Sequence, residues 1–180
     1  MNSSSESSLL VGRIDGTLWV RVESRGSFKN SPDLRAVAES GMRRGMQRIV
    51  VDLAACPIMD STFMGTLTSL HLALEKLPDG GGNLIVLNAN DRNLDLLQSL
   101  GLDNVFHVDK DGTELPELRR EVDEEILARA IVQPLDKTEH AAHVLEAHEA
   151  LAGANEANRD RFRDVVSFLR SEVQGDSAKS

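Results

Sequence analysis

The chain has 180 residues, a length that suits one ordinary domain with an addition and not two full domains. A hydrophobic share of 41% against 27% charged residues fits a soluble protein with a real core, and 3% aromatics with no Tyr are too few for a base-stacking platform. A net charge of −9 argues against a nucleic-acid backbone or an anionic membrane surface as partner, and the single Cys excludes an internal disulfide framework and a Cys-based zinc site. No apolar run approaches the roughly 18 residues of a membrane span, and Met1 to Ser8 is polar without a basic-then-apolar leader. The expectation is a reduced, cytoplasmic, acidic protein.

Leu9 to Ile14 and Leu18 to Glu23 are short extended runs around Asp15-Gly16-Thr17, which predicts a β-hairpin with Trp19 packed on one face. Ser24 to Asn30 reads as loop. Ser31-Pro32-Asp33 predicts a helix start, with Ser31 as cap, Pro32 first in the helix and an acid in the first turn. Leu34, Val37, Ala38 and Met42 give that helix its buried face, and Gly45 ends it. Ile49 to Leu53 and Asn83 to Leu87 are compact runs of the kind buried mid-sheet. Between them Met64, Leu67, Leu70, His71, Leu74 and Leu77 form one helical stripe. Strand, helix and strand in fewer than about 40 residues imply a right-handed βαβ crossover and a parallel pair. A helix over about 91–100 ending at Gly101, and a last short strand over Val105 to Val108, complete a small α/β domain with a mixed sheet.

The informative segment is Ile58-Met59-Asp60-Ser61-Thr62-Phe63-Met64-Gly65, where a buried strand hands over to an amphipathic helix. A small polar side chain there lies near the free N–H groups of the first helical turn. Asp60 or Ser61 can simply cap the helix. Alternatively Ser61 accepts a phosphate, which would bring roughly −1.5 to −2 charges to the positive helix end. Such a charge would switch the binding of a partner without refolding the domain.

From Leu9 to His107 the sequence resembles a STAS domain, the fold of bacterial anti-sigma factor antagonists. The matching pieces are Arg48 to Leu53, Met59-Asp60-Ser61-Thr62 with Gly65, Gly82 to Asn88, Leu96-Leu97, Leu100 to Asp103, and Val105-Phe106. The resemblance implies a STAS-like small mixed β-sheet with packed helices and, as function, a binding module with no enzymatic activity and no cofactor. In antagonists of the family the hydroxyl residue after the Asp is phosphorylated by an anti-sigma factor that is itself a serine kinase. The unmodified antagonist binds that kinase, and a serine phosphatase resets it. Carried onto this chain, the phosphate acceptor is Ser61, with Thr62 second, and the partner surface is Asp60, Ser61, Thr62, Phe63 and Met64. Where the family usually has Gly, this chain has Phe63, expected either to serve as an apolar docking knob or to obstruct a partner. The loop Ser24 to Asn30 also lacks the acidic step often present there in the family. STAS domains serve as non-switching scaffolds in signalling and transport complexes too, which is the alternative reading.

Other constellations carry less. Pro78 to Gly82 lacks the Lys-[Ser/Thr] ending of a phosphate loop and precedes a strand, so it reads as a turn. His140 and His143, one helical turn apart, find no third ligand on their face. With His148, Glu139, Glu146 and Glu149 they read as a solvated or packing face, and no metal site is expected. His71 reads as a satisfied interior histidine. Asp52 either caps a neighbouring helix or borders the Ser61 surface. Cys56 before Pro57 has nothing near it in sequence to make it a nucleophile.

Leu115 to Val132 reads as one helix, with Leu118, Val122, Ile126 and Ala130 on one side, broken by Pro134. Asp136 and Glu139 form an Asp-x-x-Glu capping pattern, and a helical region follows to about Val173, interrupted in its pattern by Gly153, Asn155 and Asn158. The expected division is a loose stretch over 1–8, a STAS domain over 9–133, an all-helical extension over 134–174 and a loose tail over 175–180. The apolar stripes of the extension, Val144, Leu145 and Leu151 and then Phe162, Val165, Val166, Leu169 and Val173, must cover the domain itself, a second copy in a homodimer, or another partner. A tail lying over Ser61 would be autoinhibitory.

Overall fold

The computed structural model describes residues 6–122 and 126–177. Six strands form one sheet in the order β5-β4-β3-β2-β1-β6. They are β1 (Glu6–Ile14), β2 (Thr17–Val22), β3 (Arg48–Asp52), β4 (Asn83–Leu87), β5 (His107–Val108) and β6 (Ala128–Ile131). β1 and β2 form the antiparallel hairpin, turning at Asp15 and Gly16, both at positive φ. β2, β3, β4 and β5 run parallel, as strands joined through crossover helices must. The helices are α1 (Ser31–Arg43), α2 (Ser61–Glu75), α3 (Asp91–Ser99), α4 (Pro116–Val122), α5 (Lys137–Ala154) and α6 (Glu156–Ser177).

Alternation along the strands divides the core in two. Leu18, Val20, Ile49, Val51, Leu84 and Val86 point to the face covered by α1, α2 and α3. Trp19, Val50, Ile85 and Leu87 point to the other face, where Leu118 and Val122 of α4 close over them. Asp52 ends β3 on that second face, wholly buried. It neither caps a helix nor borders Ser61. Its carboxylate accepts from Trp19 Nε1 (3.2 Å), Arg21 Nε (2.8 Å), the Ala54 N–H (3.0 Å) and Asn88 Nδ2 (2.8 Å). Asn88 in turn accepts from Arg119, which reaches Asp109 at 2.6 Å, so a chain of charge-assisted bonds ties the sheet end to α4.

Several sequence expectations are corrected here. The helix expected over Leu115 to Val132 is not continuous: α4 is described over Pro116–Val122, and Ala128 to Ile131 add a sixth strand antiparallel to β1, so Val105 to Val108 does not supply the last strand. Within that helix pattern Ala130 is buried, but as an inward-facing strand residue. The residue before α1 is Asn30, whose side chain makes no cap bond and holds Ser27, Ser8 and Arg25 instead; Ser31 is already in the helix. His71 is only partly satisfied, with Nε2 3.4 Å from Glu75 and a buried Nδ1 that has no hydrogen-bond partner. β1 begins at Glu6, three residues before Leu9, and α6 continues to Ser177, past Val173. The expected looseness of 1–5 and 178–180 lies outside the described residues.

Candidate functional site: the Ser61 end of helix α2

Asp60 is the N-cap of α2, extended at φ −94° and ψ 173°, and its Oδ1 accepts from the Phe63 N–H at 2.9 Å. Its second oxygen accepts from the Phe28 N–H at 2.9 Å, and its own N–H donates to Gly26 O at 2.8 Å. The loop before α1 is thereby fastened to the loop before α2. With Asp60 committed to capping, Ser61 stands first in the helix and half-exposed, its hydroxyl free of the cap.

The rest of the segment points inward. Thr62, Phe63 and Met64 are all buried, and Phe63 is 0% exposed in the core shared with the sheet. Phe63 is therefore no surface knob. It fills a space opened by Gly26, where a Cβ would lie 2.8 Å from its ring. Of the five residues expected to meet a partner, Asp60 and Ser61 alone keep partial exposure.

α2 is buried on two sides, because α5 lies across the face opposite the sheet. Its start follows the expected pattern: the Asp136 side chain accepts from the Glu139 N–H at 2.8 Å, and Glu139 reaches back to the Asp136 N–H at 2.9 Å. From there α5 meets the domain through one row of side chains. His140 Nε2 donates to Phe28 O at 3.0 Å. His143 Nε2 lies 2.9 Å from Ser31 Oγ and 3.3 Å from Thr66 Oγ1. Thr66 donates its own hydrogen to Thr62 O, so towards His143 it accepts. Glu146 takes the Ser69 hydroxyl at 3.0 Å and pairs with Arg35. At the end of the row His148 Nε2 lies 3.1 Å from Ser61 Oγ. His148 Nδ1 donates to Val144 O at 2.8 Å, so in the neutral ring Nε2 is bare and the Ser61 hydroxyl donates to it.

Burial, more than the nearby Arg35 charge, holds His143 down at about 4, so it is a neutral packing residue at neutral pH. No group of three or more His, Cys, Asp or Glu side chains among the described residues could hold a metal ion. Burial pushes the Cys56 thiol up, which leaves it protonated.

The histidines of the extension form the row that docks α5, the packing face that is one of their two expected readings. One feature escaped the sequence reading. On α2, Thr62, Gly65, Thr66 and Ser69 make a stripe of small residues at i, i+3, i+4 and i+7, opposite the apolar stripe. That stripe was the available signal that a second helix packs there closely.

The topology and the Asp60-Ser61 helix start define a STAS domain. The STAS-domain family model matches residues 9–115, well over half the chain, and the chain belongs to that family. No curated protein matches it. Among solved structures it is similar to the anti-sigma factor antagonist SpoIIAA in its unphosphorylated form, at 17% identity and a TM-score of 0.49 over 62% of this chain and 97% of that one. It is similar to TM1081 of Thermotoga maritima at 16% identity and 0.49, over 64% and 92%. An anti-sigma factor antagonist from Mycobacterium paratuberculosis follows at 21% and 0.47, again over 64% and 92%. The family match ends before α4, so α4, β6, α5 and α6 lie outside it. No helix of the described residues is long and apolar enough to cross a membrane.

Proposed function

We propose that this chain is a phosphorylation-switched anti-sigma factor antagonist that binds an anti-sigma factor serine kinase while Ser61 is unmodified. What supports the reading most is the division of labour at the start of α2: Asp60 takes over capping, which leaves the Ser61 hydroxyl out of the cap beside the positive helix end. Thr62 is the weaker acceptor, because it is buried. The chain is a substrate and not an enzyme in this reading. Ser61 Oγ bonds to the γ-phosphorus of ATP held by the kinase, the bond from that phosphorus to its bridging oxygen breaks, ADP leaves, and the hydroxyl proton passes to the kinase's base. The added charge beside Asp60 then repels the bound partner, and a serine phosphatase restores the hydroxyl. The setting is cytoplasmic, with residues 9–133 as the STAS module and 134–174 as its helical extension. The homodimer expectation now rests on α6, where Val165 and Phe168 are exposed.

The test is phosphopeptide mapping of the protein purified from its own host, with Ser61→Ala as control. A phosphate on Ser61 that is missing in the control supports the switch. Unmodified Ser61 under all growth conditions overturns it in favour of a static STAS scaffold, a second reading favoured by the hydrogen bond that occupies Ser61 with His148.

A further inference from the structure

We infer that the α5–α6 hairpin is a releasable cover over the Ser61 surface, and that docked α5 and phosphorylated Ser61 exclude one another. The inference deepens the proposed function and rests on Ser61 as the acceptor.

The covering is intimate where it matters. A Cβ on Gly65 would lie 2.1 Å from Ala147 O and 2.5 Å from the same carbonyl carbon, so the two helix backbones touch one turn beyond Ser61. Ala147 and His148 are both buried in that crossing, and Phe162 of α6 stands edge-on behind the His148 ring at 5.9 Å. A larger group at residue 61 therefore meets a closely packed crossing. The Ser61 hydrogen is also the one that bonds His148 Nε2. Esterification removes that hydrogen and puts a phosphate group, far larger than a hydroxyl, against the buried His148 ring. In-line transfer to Ser61 Oγ needs the space that His148 fills, so a kinase must meet the chain with α5 lifted.

The cover is also built to come away. Beside the Gly65–Ala147 crossing, its contacts with α1, α2 and the loop at Phe28 are polar, running through His140, His143, Glu146 and His148 to groups that water can satisfy once α5 lifts. The apolar anchor lies at the far end, where Leu151 is buried and Asn155 and Asn158 both donate to Leu100 O. The hairpin can therefore lift from Ser61 while it stays attached near α3. A partner that uses the uncovered surface would have to present a helix with a small residue opposite Gly65, as Ala147 does.

The experiment uses the full chain with phosphoserine incorporated at position 61 during synthesis, beside wild type, Ser61→Ala and Gly65→Ala, with amide hydrogen exchange as the readout. Gly65→Ala adds one methyl group whose nearest neighbours all belong to Ala147. Exchange in 137–150 should quicken about tenfold or more in the phosphorylated chain and in Gly65→Ala, while β3 and β4 stay protected and Ser61→Ala stays near wild type. Unchanged protection of α5 in the phosphorylated chain overturns the inference, as does loss of protection throughout the sheet. The two ideas fail separately. Absence of phosphate in the host removes the acceptor reading even where installed phosphate frees α5. A phosphate found in the host with α5 still protected removes only the cover.

Discussion

Gly26 and Phe63 are a matched pair: the ring of Phe63 occupies the space that a Cβ on residue 26 would enter, at 2.8 Å. Met59 Cγ stands next nearest, at 3.1 Å, so every near neighbour of that position is a side chain. Gly26→Ala therefore overpacks a fully buried aromatic ring and is expected to cost about 1–3 kcal/mol. Phe63→Ala leaves a cavity and is expected to cost about 3–5 kcal/mol. Combined, the two should cost less than their sum, because the methyl group then has room. Urea denaturation followed by the fluorescence of Trp19, the single Trp, measures all three. Strict additivity would show that the pair does not interact.

Acid should weaken the fold in two steps. His143 is buried and held at about 4, against 6.5 in the unfolded chain, with Arg35 and His140 opposing its charge and Glu146 and Glu39 favouring it. Between those values the unfolded state binds the extra proton, so stability is full above pH 6.5 and falls as pH drops towards 4, by up to about 3 kcal/mol. Asp52 acts at lower pH. Burial alone would raise its carboxyl, but the hydrogen bonds from Asn88, Arg21 and the Ala54 N–H outweigh burial and hold it below 3.8. Its contribution is present above the unfolded value and is lost as pH falls through the folded one. His143→Gln should flatten the first step and leave the second. Urea midpoints taken from pH 8 to pH 3 decide it, and an unaltered first step in the variant would show that His143 is not its source.

Asp52 serves four donors with two oxygens, and one of those donors is charged. Asp52→Asn turns one oxygen into a donor that faces donors. The expected loss is about 1–3 kcal/mol, the cost of leaving buried donors unsatisfied. The same urea titration measures it. Trp19 emission in the folded state should shift as well, because its indole N–H loses the Oδ2 acceptor. A cost below about 1 kcal/mol would show that the donors around residue 52 find other acceptors.

Where the sequence reading succeeded, the determinants were local. Asn83 to Leu87 reads as a buried strand because four successive apolar residues, Leu84 to Leu87, end at Asn88, which takes the positive φ that closes the run. Asp136 and Glu139 carry their capping geometry within four residues. It failed where a distant partner decides. Ala128 to Ile131 has helical composition and continues a helical spacing from Leu118, yet the open edge of β1 recruits it as a strand. Ser31 looks like a cap, but its hydroxyl belongs to His143, 112 residues away. At the candidate site, Ser61 and Asp60 were legible from the strand-to-helix step. The burial of Phe63 was not, because it depends on a glycine 37 positions earlier that no pattern joins to it.

Asn155 is the hinge between α5 and α6, and its side chain does two things at once. Oδ1 accepts from the Asn158 N–H at 2.9 Å and caps α6, while Nδ2 donates to Leu100 O at 2.9 Å. Gly101, at φ +66°, leaves the space through which that amide reaches, since a Cβ there would lie 3.0 Å from Nδ2. Asn155→Ala loses both bonds and should cost about 1–2 kcal/mol. Asn155→Ser keeps the cap but is too short to reach Leu100, so it should cost roughly half as much. Because Asn158 still holds Leu100 O at 2.8 Å, the loss should appear as faster amide exchange in the first turns of α6 and not in the sheet. Equal costs for the two variants would put the weight on the link to Leu100 and make the cap incidental.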